Sequence, residues 1–95
     1  VENNIAKFPD SVTTRGAKHV KYLGNLAANG VMSMVLFVIQ RHDSILFQPN
    51  WKRDYKFSQA LLQASSKGLN IRAIHSKLTK EKIHFLGEIP IEMSF

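Results

Sequence analysis

The stretch VMSMVLFVI, Val31 to Ile39, constrains the fold of this chain more than any other. From Met34 to Ile39 every residue is apolar. A strand with one wet face alternates apolar and polar positions, whereas a strand covered on both faces is apolar throughout. The run is far short of the ~20 residues that cross a bilayer. It reads as a central strand over Met32 to Ile39, covered on both faces by helices, and it predicts an α/β architecture.

The flanking segments agree with that architecture. Glu2, Asn3 and Asn4 read as a turn, and IAKF (Ile5 to Phe8) as a short strand before a Pro9-Asp10 loop. Thr13 or Thr14 is a natural N-cap for a helix running to about Ala28, and Asn29-Gly30 is its stop. At ~100° per residue, Val20, Leu23, Gly24 and Ala27 share one arc, with Lys18, Lys21 and Asn25 opposite. QRHDSILFQPNWKR reads as a long loop. A second helix from about Asp54 to Lys67 buries Phe57, Leu61 and Ala64, and Gly68 ends it. LNIRAIHSKL is a strand, and KIHFL is its partner across a TKEK turn. Helix, strand, helix and strand in alternation predict layers around a mixed sheet, with a right-handed parallel crossover. The first helix lacks the long strand that should precede it, and the chain begins at Val1 without a Met. Both features read as part of a larger domain.

Composition narrows the function. Ninety-five residues with 44% hydrophobic content suffice for one modest core. The absence of cysteine excludes disulfide frameworks and thiolate zinc sites, and a reducing, cytoplasmic setting is the expectation. Thirteen Lys and Arg against seven Asp and Glu give a formal charge of +6, which favours polyanionic partners such as DNA and gives no reason to expect a membrane.

The segment KFPDSVTTRGAKHV, Lys7 to Val20, raises two chemistries. One is a nuclease in which an Asp and a later Glu-x-Lys hold a divalent metal. After Asp10 the matching triplet is Asp54-Tyr55-Lys56, but it opens a helix, where i and i+2 diverge by ~200°. Asp54 is better read as an N-cap and Lys56 as surface. The other chemistry is a phosphate grip. A helix start offers unpaired N–H groups, Gly16 allows close approach, and Arg15, Lys18, His19 and Tyr22 fall within one ~100° sector. The alternative is a solvated face with His19 against Leu23 and Leu26. His42, His75 and His84 show no metal-ligand spacing. Gln40, Arg41 and Asp43 follow the apolar strand, where open α/β sheets place ligands. Trp51-Lys52-Arg53 joins an aromatic to two cations, a combination common on nucleic-acid surfaces.

FPDSVTTRGAKHVKYL, VLFVIQRHDSILFQP and LNIRAIHSKLTKEKIHFLGEIPIEM follow one another in an order and spacing that resembles the C-terminal half of the sugar fermentation stimulation protein (SfsA) family. Its pattern reads F-P-D-A-x-x-x-R-G-x-K-H, then a hydrophobic strand ending in Q-R-x-D with a later F-x-P, then a closing strand and L/I-P-V/I. Phe8, Pro9, Asp10, Arg15, Gly16, Lys18 and His19 match the first block, and Gln40, Arg41, Asp43, Phe47 and Pro49 match the second. Ser11 stands where Ala is usual, Trp51-Lys52-Arg53 where relatives are commonly more acidic, and Phe57 where Tyr is usual.

The resemblance implies a bacterial or archaeal cytoplasmic protein with an N-terminal OB-like domain and a C-terminal restriction-endonuclease-like domain. It implies DNA binding of little sequence preference and a role in regulating sugar, particularly maltose, utilisation. The nuclease-type Asp and Glu-x-Lys of that family lie upstream of the matched segment. Residues 1–95 are then the C-terminal part of the nuclease-fold domain, with the OB-like domain and earlier core strands absent. On this reading the segment holds no catalytic residue, metal or cofactor of its own and is inactive alone, while magnesium or manganese would serve the intact protein. Arg15, Gly16, Lys18, His19, Lys21, Arg41, Lys52 and Arg53 are the expected DNA contacts, and Asp10, Gln40 and Asp43 the expected supporting groups beside a metal site. A homodimer and a protein-interaction module with an acidic partner stay open alternatives.

Overall fold

In the computed structural model, which describes residues 4–94, seven elements follow one another: β1 (Ile5–Phe8), α1 (Thr14–Ala28), β2 (Met34–Ile39), β3 (Leu46–Pro49), α2 (Tyr55–Ser66), β4 (Asn70–Leu78) and β5 (Ile83–Ile89). Both helices begin and end where their cap residues dictate. The Thr13 hydroxyl accepts from the Gly16 N–H at 3.0 Å, and Asp54 Oδ1 accepts from the Phe57 N–H at 3.0 Å. Asn29 caps the end of α1, and Gly30 and Gly68 turn the chain away with φ of 83° and 106°.

Two small sheets share the core. β2, β4 and β5 form a mixed sheet in that order, with β2 parallel to β4 (Met34 opposite Asn70, Ile39 opposite His75) and β5 antiparallel to β4. β1 and β3 pair in parallel, Ile5 opposite Leu46 and Phe8 opposite Pro49. After β5 the chain crosses to this second sheet: the Phe47 N–H donates to the Pro90 carbonyl and the Glu92 N–H to the Phe47 carbonyl, each at 2.9 Å. β3 lies inside the segment read as a loop. Four residues ending in Pro49 carry little strand signal, and their partner is some forty positions away.

α1 and α2 lie side by side with their N-termini together, joined where the Thr13 N–H donates to Asp54 Oδ2 at 2.8 Å. Their packing is tightest at Gly24, where a Cβ would stand 2.9 Å from Ala64 Cβ. Ala17, Val20, Phe57, Ala60, Leu61, Ala64 and Leu69 form the helix-side core, onto which Val35, Phe37 and Ile71 pack from the sheet. Phe37 also stacks on Phe47 at 4.4 Å, which links this core to the cluster of Ala6, Phe47, Ala73 and Ile89 under the second sheet.

The apolar strand departs from its expected setting. Among the described residues β2 has a partner strand on one side only, and Met34, Leu36 and Val38 are 56%, 49% and 45% exposed. Alternate positions of β2 therefore meet the helices while the others face outward. The short strand β1 precedes α1 and joins β3 rather than β2.

Candidate nucleic-acid interface

Short links of a few residues join the end of α1 to β2 and the end of α2 to β4, so each helix runs back against the strand it feeds. The two helix starts consequently lie at the end of the sheet where β2 and β4 finish. That end gathers Arg15, Lys18 and His19 from the first half of α1, Arg41 and Asp43 from the loop after β2, and Lys52 and Arg53 from the turn into α2, while Lys21 stands at the middle of α1.

The cations of α1 are all exposed, on the side away from Ala17, Val20 and Gly24, and His19 is exposed rather than tucked against Leu23 and Leu26. Gly16 serves the interior. A Cβ there would come within 2.8 Å of the Thr13 hydroxyl oxygen and 3.2 Å of a Phe57 ring carbon, and the Gly16 N–H is occupied by the Thr13 cap. Gly16 thus lets α1 close onto α2, and its N–H is spent on the cap instead of a phosphate. Neither motif reading anticipated how Asp54 reaches across. The same buried carboxylate caps α2 and accepts from the Thr13 N–H, so it fixes the direction in which α1 presents its cations.

Lys52 and Arg53 are held by Asn50, which the sequence reading passed over. Its carbonyl accepts from the Arg53 and Asp54 N–H groups, and its side-chain amide donates to the Pro9 carbonyl at 3.1 Å. Because the Asn50 N–H also donates to the Phe8 carbonyl, the Phe8-Pro9 segment is tied to the turn that carries Lys52 and Arg53. Phe8-Pro9 is a cis peptide. Trp51 donates its indole N–H to the Met93 carbonyl at 3.2 Å and meets Tyr55 edge-on. Its polar edge is committed to anchoring the chain end.

Arg41 differs from the other expected contacts. Its Nε and Nη2 donate to the two oxygens of Asp43 at 3.1 and 3.0 Å. The hydrogen bond from Arg41 holds the Asp43 carboxyl below its ordinary range, and the same bond raises the guanidinium. This fork is engaged within the loop and its charge is offset, while Gln40 beside it is exposed. Asp10 lies on the rim of a groove of about 390 Å³ between β1 and β2, with Lys7, Phe8, Leu36 and Val38 among its walls. Asp10 and Asp43 are thus on different features, and among the described residues no group of three or more His, Asp or Glu could hold a metal ion.

The model of the sugar fermentation stimulation protein RE domain matches residues 1–82. The chain belongs to the SfsA family. It is 37% identical over 91 residues to the sugar fermentation stimulation protein homolog of Natranaerobius thermophilus, and 40% identical over 91 residues to that of Saccharolobus solfataricus. Each alignment covers 96% of this chain and 38% of the relative, and relatives occur in archaea as well as bacteria. The structure of Pyrococcus furiosus SfsA in complex with Ca2+ superposes with a TM-score of 0.91 at 31% identity, over 97% of this chain and 40% of that one. The chain therefore spans about two-fifths of the length of these SfsA proteins. At that likeness the mixed α/β architecture is the SfsA one, consistent with a restriction-endonuclease-like fold. No helix among the described residues is long and apolar enough to cross a membrane.

Proposed function

We propose that this chain is a DNA-binding unit that grips the phosphate backbone with little regard to sequence, within a cytoplasmic SfsA protein that influences sugar utilisation, maltose included. One observation carries the reading. Among the described residues the ion pairs are Arg41–Asp43 and Arg72–Glu88, so Arg15, Lys18, Lys52 and Arg53 are exposed cations with no carboxylate partner, gathered at one end of the sheet. Cations left unpaired at the end where α/β sheets bind ligands suit a continuous polyanion. His19 lies on the same face of α1 as Arg15 and Lys18, Lys21 flanks that face on its far side, and base readout is not required of any of them.

Four backbone contacts give a log–log salt slope of about −3.6. Affinities for two unrelated duplexes, each measured at several salt concentrations, test the reading. Equal affinities that fall steeply with salt are expected. Binding that is absent, or indifferent to salt, overturns it.

A metal-dependent nuclease activity of the longer protein is a second reading, supported by the RE-domain description and by the calcium bound to the Pyrococcus furiosus relative. The residues described here do not fit a metal site by themselves, since Asp43 is taken by Arg41 and no acidic cluster forms. The ligands on this reading belong to the part of the SfsA proteins that the chain does not span. Incubating the longer protein with plasmid DNA and magnesium or manganese tests it, and intact supercoiled plasmid throughout is the result against it.

A further inference from the structure

The β4–β5 hairpin has two unlike faces. Lys77 lies directly opposite His84, and Leu78 opposite Ile83. By strand alternation Lys77, His84 and Lys82 share one face, while Leu78, Ile83 and Phe85 share the other. All six are exposed.

The basic face is unusual as structure. Opposite charges brought together across a strand pair stabilise it. This sheet has such a contact where Arg72 on β4 reaches Glu88 on β5 at 2.8 Å, diagonally, since Glu88 lies directly opposite Ile74. Lys77 and Lys82 have no such partner among the described residues. The acid of this segment, Glu81, is in the turn, where the Thr79 N–H and hydroxyl both bond the Lys82 carbonyl.

The hairpin also projects. The last β2–β4 pair is Ile39 with His75, and β4 runs on to Leu78, about 10 Å further at ~3.3 Å per residue. The extension leaves from the end of the sheet that carries Arg15, Lys18, Lys52 and Arg53. At its base the His75 Nδ1 donates to the His42 carbonyl at 3.1 Å, which ties the arm to the loop after β2.

We propose that the β4–β5 hairpin is a second backbone-gripping arm, laying Lys77, Lys82 and His84 along the phosphates of the same DNA that the helix starts engage. It rests on the DNA-binding reading above and adds a site to it. A phosphate supplies the counter-charge that Lys77 and Lys82 lack, and one strand of the duplex supplies successive phosphates at a spacing comparable to that between same-face residues of a strand.

The test compares the parent chain with the variant Lys77→Gln/Lys82→Gln/His84→Gln and its charged counterpart Lys77→Arg/Lys82→Arg/His84→Arg, by anisotropy titration of a labelled 20-base-pair duplex across salt concentrations. Circular dichroism confirms that each is folded. The Gln variant is expected to bind more weakly with a salt slope shallower by about 2, one for each lysine, and the Arg variant to bind at least as tightly as the parent with a slope steeper by about 1, from His84→Arg. A Gln variant that is folded and matches the parent in affinity and slope overturns the hairpin arm and leaves the helix-start site standing. A parent chain that binds no DNA overturns both. Tighter binding of the parent to polyglutamate than to the duplex also overturns the proposal, by making the arm a contact for acidic protein.

Discussion

Replacing Asp54 by Ala removes two hydrogen bonds that serve two different helices. Oδ1 accepts from the Phe57 N–H in the first turn of α2, and Oδ2 accepts from the Thr13 N–H at the threshold of α1, with the carboxylate 5% exposed. Loss of a helix cap costs about 1 kcal/mol, and a buried or half-buried N–H left without an acceptor costs roughly 1–3 kcal/mol. The sum is about 3 kcal/mol, a large share of the stability of a domain of this size. Urea unfolding followed by circular dichroism measures it as a lowered midpoint at unchanged slope. Asp54→Asn keeps one acceptor but turns an amide N–H toward one of the two donors, so it should lose stability too, though less. If Asp54→Ala unfolds within 0.5 kcal/mol of the parent, on the order of an ordinary surface substitution, the picture of one carboxylate joining both helix starts is refuted. A functional consequence follows at denaturant concentrations where the variant is still folded: α1 loses its anchor, and DNA affinity should fall although no cation has been removed.

Gly24→Leu, which drives a side chain into Ala64, should destabilise by roughly 1–3 kcal/mol, seen as a lowered melting temperature. Ser58→Ala should be neutral or stabilising in the same melt, because the Ser58 hydroxyl is fully buried with no hydrogen-bond partner among the described residues. Asp43→Asn releases the Arg41 fork and should tighten duplex binding, with a salt slope steeper by about 1. The Arg41–Asp43 pair itself should behave as a depressed carboxylate does: its small contribution to stability is present above pH ~4 and is lost as the pH falls through the lowered Asp43 value, so the stability difference between the parent and the Asp43→Asn variant should be present near neutral pH and vanish on acidification.

The helices were legible because their ends are chemical. Thr13, Asn29-Gly30, Asp54 and Gly68 each satisfy or turn away specific backbone groups, and those needs are local in sequence. The β4–β5 hairpin was legible for the same reason. β3 was not, because its strand character comes from β1 and from Pro90 to Glu92, all distant in sequence. The run Met34 to Ile39 announces a strand with two apolar faces but says nothing of where their covers come from, and among the described residues the helices cover only one. At the candidate interface, residue type pointed to the exposed cations on α1 and before α2, and was silent on three neighbours. Gly16 faces Phe57, Arg41 faces Asp43, and the Trp51 indole reaches the Met93 carbonyl. Each of those assignments depends on a neighbour that motif spacing does not encode. The shared face of Lys77 and His84 was hidden in the same way, since only the strand register sets the two opposite each other.

The two parallel pairings bear on how quickly the chain can reach this arrangement. Ile5 meets Leu46 and Met34 meets Asn70, so each pairing closes a loop of roughly forty residues before any strand contact repays the lost chain entropy. The β4–β5 hairpin closes within a few residues and can form in microseconds, as can the helices. Folding rate should therefore be governed by the docking of β2 beside β4 with α1 and α2 already formed. Substitutions in the Gly24–Ala64 contact, and those that weaken the early-forming hairpin, should both act mainly by slowing refolding.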